Sequence, residues 1–375
     1  MKILFIAPRY HTNQYNVVKA LQDSGNEVHF HVTLKGPTED YSLVEPLVVN
    51  PSGISVLLEN YFKKRGANRP FLFPSALKYW KTISQLKPDI VVIRDPDRYF
   101  SRMAALFSLL LGARIVFYTQ EALYRSRNLK NRLKQLMYIK LFRAVWMTPI
   151  VGEQTDGDKI DGMYYIPLPV NVENNGHTNN KESDERIKIL FIGKFHQERK
   201  KHMLLLDALY QLKDGFKFKA TIIGECHTEK QISKFNYLHQ KIKEYGLCEY
   251  IEMVKNVPYC EINKYYKTHN IFVFPAVEES YAISVSEALG YGLPVICTDT
   301  CGARYHIRNN HNGYVIKSNS LQDLVAALEQ SIENWDYLEL MSYNSRTYAV
   351  NCLSREVFIK SFQEMLYKKF RISIT

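Results

Sequence analysis

A repeated opening constrains this chain more than any other feature. Lys2-Ile3-Leu4-Phe5-Ile6-Ala7 recurs as Lys188-Ile189-Leu190-Phe191-Ile192-Gly193. Each copy is a short apolar run ending in a small residue. A strand that is apolar at every position, not at alternate ones, is covered on both faces, as in a parallel sheet. A loop and a helical pattern follow each copy, at 17–21 and at 204–209. Glycines stand where each helix should stop, Gly25 and Gly215, and a second strand follows each, at 27–32 and 219–223. That order is β-α-β twice over. A chain of 375 residues also exceeds one ordinary core.

The expected fold is therefore α/β, with two Rossmann-like doubly wound domains facing across a cleft. The first domain spans 1–170 and adds strands at 90–93 and 115–118 around a helix near 103–111. Residues 171–186 are rich in Asn, Glu and Lys and read as a linker. The second domain spans 187–350, with later strands at 271–274, 294–297 and 314–316. Asn312-Gly313 marks a turn, and Ser320 with Asp323 resembles a capping box. Doubly wound sheets bind ligands at the carboxyl ends of their strands.

Composition narrows the class. The formal charge is +11 and the pI about 9.1, which favours anionic partners without choosing among phosphates, acidic lipids and nucleic acid. None of the six cysteines, Cys226, Cys248, Cys260, Cys297, Cys301 and Cys352, forms a C-x-x-C pair or a zinc-type cluster. Reduced thiols in a cytoplasmic protein are the expectation. The N-terminal apolar run is too short for a signal peptide. The longest apolar run, 103–113, falls short of the roughly 20 residues a membrane span needs. Any membrane contact is expected to be peripheral, at the cytoplasmic face.

The most informative stretch follows the strand at 271–274. It reads Pro275-Ala276-Val277-Glu278-Glu279-Ser280-Tyr281-Ala282-Ile283-Ser284-Val285-Ser286-Glu287-Ala288-Leu289-Gly290-Tyr291-Gly292-Leu293-Pro294. Glu279 falls in a strand-to-helix loop and Glu287 inside the helix. Phe274-Pro275, Glu279-Ser280-Tyr281-Ala282 and Glu287-Ala288-Leu289-Gly290-Tyr291-Gly292-Leu293-Pro294-Val295-Ile296 resemble the E-x7-E motif of retaining glycosyltransferases with the GT-B fold, glycosyltransferase family 4. The resemblance implies that Glu279 bonds donor-sugar hydroxyls and Glu287 the ribose hydroxyls of the nucleotide. The physics is compatible, since bonds to carboxylate acceptors are strong ones. The amides of Ala282, Ile283 and Ser284 would meet the donor phosphates at a helix N-terminus. Ser280 and Ala282 stand where the family usually has glycine. Both are small, so the departure matters only if a positive φ is needed there.

The stretch Gly193-Lys194-Phe195-His196-Gln197-Glu198-Arg199-Lys200-Lys201-His202 is similar to the family's basic loop. Lys194 and Lys200 match its two cationic positions, and Arg199 is a further candidate. The resemblance implies that they hold the donor diphosphate. Fixed cations near a departing diphosphate stabilise the transition state more than the ground state.

The first domain departs further from the family. The loop Arg9-Tyr10-His11-Thr12-Asn13-Gln14-Tyr15 has no glycine, and Gln120 and Glu121 stand where the family has a His-Asp or His-Gly pair. His11, Gln120 and Glu121 are the acceptor-side candidates. Asp95-Pro96-Asp97 resembles the D-x-D metal motif of the other glycosyltransferase fold; here it is read as a decoy and no metal is expected.

Segment 125–143 carries Arg125, Arg127, Lys130, Arg132, Lys134, Lys140 and Arg143 and no acid, with Leu129, Leu133, Leu136, Met137, Ile139 and Leu141 interleaved. Such a helix either lies on anionic lipid or packs its apolar side inward. The aromatic and basic stretch from Tyr61-Phe62-Lys63-Lys64-Arg65 to Trp80 would extend a lipid-facing surface. Without a recognised module, nucleic acid is not expected.

Together these readings imply a metal-independent, retaining glycosyltransferase with no resident cofactor. A UDP- or GDP-sugar would be the donor, and a glycan, lipid-linked or other hydroxyl compound the acceptor, in surface polysaccharide or glycoconjugate synthesis. Residues 351–375 would form a C-terminal helix crossing back to the first domain. Two alternatives stay open, a nucleotide-sugar 2-epimerase on the same fold and a non-catalytic partner subunit.

Overall fold

The computed structural model describes residues 1–36, 39–62, 71–173 and 186–374. Most of the linker at 171–186 lies outside the described residues, as do Lys63, Lys64 and Arg65. The chain divides into two compact units, Met1–Pro169 with Arg355–Thr375, and Val170–Ser354.

The first unit contains β1 (Lys2–Ala7), α1 (Tyr15–Asp23), β2 (Glu27–Val32), β3 (Leu47–Val48), α2 (Gly53–Phe62), α3 (Ala76–Leu86), β4 (Ile90–Arg94), α4 (Tyr99–Leu110), β5 (Arg114–Tyr118), α5 (Leu129–Leu141), β6 (Val145–Thr148) and β7 (Met163–Tyr165). Its sheet order is β3-β2-β1-β4-β5-β6-β7, parallel throughout. The apolar runs that form β1, β4 and β5 are buried on both faces, as their unbroken hydrophobicity requires. Right-handed crossovers put α1 on one face and α4 and α5 on the other.

The second unit contains β8 (Ile187–Ile192), α6 (His202–Leu212), β9 (Phe218–Gly224), α7 (Glu229–Glu244), β10 (Ile251–Lys255), α8 (Ile262–Thr268), β11 (Ile271–Phe274), α9 (Ile283–Gly290), β12 (Val295–Thr298), β13 (Gly313–Ile316), α10 (Leu321–Glu333) and α11 (Trp335–Leu353). Its sheet order is β10-β9-β8-β11-β12-β13, again parallel throughout. Strand order reverses between β1 and β4 in one sheet and between β8 and β11 in the other. Those are the switch points where such sheets open a ligand crevice.

The two glycine stops are not equivalent. Gly25 takes φ +78, and the bonds Gly25 N–H to Gln22 O and Asn26 N–H to Leu21 O close the end of α1. Gly215 stays outside the left-handed region. The amides of Gly215 and Phe216 both donate to Leu212 O, so α6 ends without a left-handed cap. The capping box at Ser320 is half made. Ser320 accepts from the Asp323 amide, but the Asp323 carboxylate accepts from the Lys317 amide instead.

Two helices run between Trp335 and Phe370. α11 ends at Leu353, and α12 (Arg355–Phe370) belongs to the first unit. There it packs on α1, with Arg355 donating to Asn16 at 3.1 Å and Asn26 donating to the Ile374 carbonyl at 3.1 Å. Its inward face is Phe358, Phe362, Met365 and Leu366. Among the described residues no helix is long and apolar enough to cross a membrane.

Candidate functional site

Two loops meet at the switch point of the second unit. One leaves β8 through Gly193 and passes a 3-10 turn at Glu198–Lys200 into α6. The other leaves β11 through Pro275 and enters α9. The Val277 amide donates to Arg199 O at 2.8 Å, tying the loops together. A Cβ at Gly193 would stand 2.8 Å from the Phe191 ring, so a larger residue there would push the ring aside. Its carbonyl lies 3.3 Å from the buried His202 ring, whose pKa burial pushes down to about 4.

The loops bring Arg199, Lys200 and Glu279 into one cluster. Lys200 Nζ donates to Glu279 Oε2 at 2.6 Å, and Arg199 Nη1 donates to the same oxygen. Lys200 also lies 4.5 Å from the centre of the Phe274 ring. Its side chain is only 11% exposed, and burial lowers its pKa against the opposing pull of Glu279. With two cations to one carboxylate, the cluster is left with a surplus positive charge. Glu279 is fixed through its backbone too: Gly302 N–H donates to Glu279 O at 2.9 Å, and Glu279 bridges Cys301 in parallel. Lys194 lies apart from this cluster and pairs with Glu225 at 2.9 Å.

The N-terminus of α9 opens beside Glu279. No side chain caps it, leaving the first amides, those of Ile283 and Ser284, open to an outside acceptor. Ala282 at the cap has φ 62 and ψ 75. A positive φ is therefore needed where alanine replaces the usual glycine. One turn on, the Glu287 carboxylate is buried and holds two donors, Tyr259 Oη at 2.8 Å and Tyr266 Oη at 3.0 Å. Burial raises its pKa, and the two hydroxyls oppose that rise. Tyr281 turns its ring inward. Its hydroxyl accepts from Ser286 Oγ at 3.1 Å and lies 3.3 Å from His306 Nε2, so only its backbone faces the loop. Ser280 is exposed.

Tyr259 and Tyr266 are invisible to sequence reasoning, because nothing in the spacing links residues 259 and 266 to Glu287. Glu225 was equally hidden. It follows β9, the strand beside β8, and only the sheet order puts it next to Lys194.

In the first unit His11 follows β1 and lies 3.4 Å from Arg9 Nη2. Gln120 and Glu121 follow β5, where Gln120 donates to Tyr118 Oη at 3.2 Å and Glu121 accepts from Gln135 at 3.2 Å. The switch point itself lies between β1 and β4, and the loop after β4 carries Asp95-Pro96-Asp97. Asp95 pairs with Arg98 at 3.2 Å, and Asp97 with Lys134 at 2.7 Å.

A family model described as glycosyl transferases group 1 matches residues 173–348, all within the second unit. The capsular polysaccharide biosynthesis glycosyltransferase CapM of Staphylococcus aureus is 23% identical over 194 residues, 50% of this chain and 49% of that protein. This chain thus spans about half the length of that curated relative. A glycosyltransferase from Rickettsia africae has a similar structure, with TM-score 0.74, 18% identity and 99% of both chains covered. Anabaena HepE, solved with UDP and glucose, has TM-score 0.71 and 14% identity over 98% of this chain and 100% of its own. At those identities the likeness concerns the fold, two Rossmann-like domains of the GT-B type.

Proposed function

We infer that this chain, whose residues 173–348 belong to the glycosyl transferases group 1, moves a glycosyl group from a nucleoside-diphosphate sugar to a hydroxyl acceptor. One observation carries the reading: Arg199, Lys200 and Glu279 form a cation-rich cluster at a switch point, beside the uncapped N-terminus of α9. Cations and helix amides together suit a diphosphate. The carboxylate in their midst suits sugar hydroxyls, because an ionised Glu accepts at about four lone-pair positions.

The family resemblance implies a retaining, front-face reaction, and that arrangement is compatible with it. The bond between the anomeric carbon and the diphosphate oxygen breaks. Lys200, Arg199 and the α9 amides take up the charge that develops on the departing phosphate. The acceptor oxygen bonds to the anomeric carbon from the same face, and its proton passes to the leaving diphosphate. Configuration is retained, and cations of the protein carry the neutralising charge. Glu279 orients the sugar. Glu287 takes the ribose hydroxyls on the oxygen positions that Tyr259 and Tyr266 leave open. Lys194, held by Glu225, supplies a third cation at the edge of β8. A UDP- or GDP-sugar fits this site. The HepE structure holds UDP and glucose, and CapM is named for capsular polysaccharide, which favours a glycan or lipid-linked acceptor.

A panel of nucleotide sugars and nucleoside diphosphates, scored by thermal shift, tests the reading. A bound donor at 100 times its Kd adds about 2.7 kcal/mol of stability by mass action. If no member of the panel shifts the protein, the reading falls. If the donor alone is converted to its 2-epimer, epimerase replaces transferase.

A further inference from the structure

We propose that the first unit docks on an anionic lipid bilayer through the outward faces of α5, α4 and α2. Helix α5 does not hide its apolar side. Leu129, Leu133, Met137 and Leu141 recur every fourth residue and are 71%, 57%, 54% and 61% exposed. Its inward face consists of Gln135, Tyr138 and Ile139. Lys130 and Lys140 lie on the same outward side at the 3.6-residue period and are exposed as well. This is the layout of an interfacial helix, apolar residues to enter the acyl boundary and cations to meet the headgroups.

The surface continues beyond α5. Lys134 bonds Asp97 at 2.7 Å, just ahead of α4. Along α4, Tyr99, Leu106 and Leu110 are exposed. Tyr99 packs on Phe71 at 5.5 Å between ring centres, and Phe71 stacks on Phe62 of α2 at 5.0 Å. Helix α2 then presents Ile54, Leu57 and Tyr61 at spacings of three and four, all more than two-thirds exposed. Exposed apolar side chains gathered on one set of helices mark an interaction surface.

Charge selects the occupant. Segment 125–143 carries seven cations and no acid; Glu121, Asp158 and Asp97 pair with Arg125, Arg132 and Lys134, which leaves Arg127, Lys130, Lys140 and Arg143 in excess, so a second copy of the same face is repelled. A sheet of anionic headgroups complements it, at about 1 kcal/mol per cation near the surface. The apolar ridge separates lipid from nucleic acid, since phosphate binding alone gives Leu133 and Met137 no role. The docking is independent of the transfer reaction and is measured without any nucleotide sugar.

The experiment is co-sedimentation of the full chain with vesicles of equimolar phosphatidylglycerol and phosphatidylcholine, against phosphatidylcholine alone. Wild type should sediment with the anionic vesicles and stay in solution with the neutral ones. The double variant Leu133→Asp/Met137→Asp replaces exposed side chains, so its melting temperature should stay at the wild-type value while partitioning falls at least tenfold. Lys130→Gln and Lys140→Gln should each weaken partitioning about fivefold. Wild type that ignores anionic vesicles at low salt overturns the proposal, as does a double variant that partitions normally. Self-association, or binding to DNA, that disappears in the double variant while vesicles remain unbound assigns the face to those partners instead.

Discussion

The two units share a sheet and a switch point but differ in what their loops place there. In the second unit the loops after β8 and β11 are bonded to each other, and their side chains converge on one carboxylate. In the first, the loops after β1 and β4 carry separate pairs: Arg9 with Glu39 at 2.9 Å, and Arg98 with Asp95 at 3.2 Å. One edge is a single charged cluster joining both loops, and the other is a set of separate ion pairs, each confined to its own loop's surroundings. The family match covers only the former. A parallel sheet thus supplies a place for chemistry, and the loops decide whether chemistry occupies it.

The largest effect that can break this contrast is on turnover. Glu279→Gln keeps the shape and removes the charge, and Lys200→Ala removes the buried cation. Each should lower transfer by about 100- to 1,000-fold, the usual cost of one preorganised electrostatic contact. Lys200→Ala should also weaken nucleoside diphosphate binding by calorimetry, while His11→Ala and Gln120→Ala leave it unchanged. If His11→Ala weakens nucleotide binding as much as Lys200→Ala, the division of labour is wrong.

Acid should discriminate next. Burial pushes His202 and His306 in the second unit, and His31 in the first, down to about 4. The folded chain keeps these rings neutral, while the unfolded chain protonates them near 6.5. Their contribution is therefore whole above pH 6.5 and is lost as pH falls through the window from 6.5 to about 4. Each is worth on the order of 3 kcal/mol when fully expressed. With two such rings against one, the second unit should loosen at higher pH than the first. Trp335 fluorescence reports the second unit, Trp80 and Trp146 the first. His306→Asn should flatten the slope of melting temperature against pH in this window. An unchanged slope would sink the assignment.

A smaller effect measures how each unit holds its polar edge. Tyr266→Phe removes a donor from the buried Glu287 carboxylate, at a cost of about 1.5–3 kcal/mol for a bond to a charged group. Tyr259 is half-exposed, so water replaces its hydroxyl and Tyr259→Phe should cost less. In the first unit, Tyr118→Phe takes a neutral acceptor from Gln120 and should cost about 1 kcal/mol or less. A urea midpoint lower for Tyr118→Phe than for Tyr266→Phe would reverse the comparison.

Sequence reasoning reached β1, β2, β4, β5, β8, β9, β11, β12 and β13 but not β3, β6, β7 or β10, and it reached the two loops of the second unit that carry Lys200 and Glu279, because each lies in a contiguous pattern. It missed what depends on side chains far apart in the chain. Lys194 and Lys200 look like equals in sequence, yet Lys194 faces Glu225 and Lys200 faces Glu279. The D-x-D stretch was set aside on motif grounds. Its loop nonetheless sits at the first unit's switch point, where Arg94, Arg98, Arg102 and Lys134 pair with its carboxylates. Helix α2 was not anticipated as a helix, since its apolar side chains point outward and give no core-facing stripe.

The smallest effect tests whether the α9 N-terminus belongs to the site at all. Ala282 sits at φ 62 and Lys87, closing α3 in the first unit, at φ 50. A left-handed conformation costs an L residue roughly 1–2 kcal/mol, which glycine escapes. Lys87 is exposed, so Lys87→Gly should gain about 1 kcal/mol of that relief in stability, less the extra freedom of the unfolded chain. Ala282 is buried, and Ala282→Gly also loses a methyl group worth about 0.8 kcal/mol, so its net gain should be smaller. Binding should separate them. Lys87→Gly leaves nucleotide affinity untouched. Ala282→Gly loosens the entry to α9 and should weaken nucleoside diphosphate binding a few-fold, because the amides are then less preorganised. Equal affinities in the two variants would remove the helix N-terminus from the site and leave the diphosphate to Arg199, Lys200 and Lys194 alone.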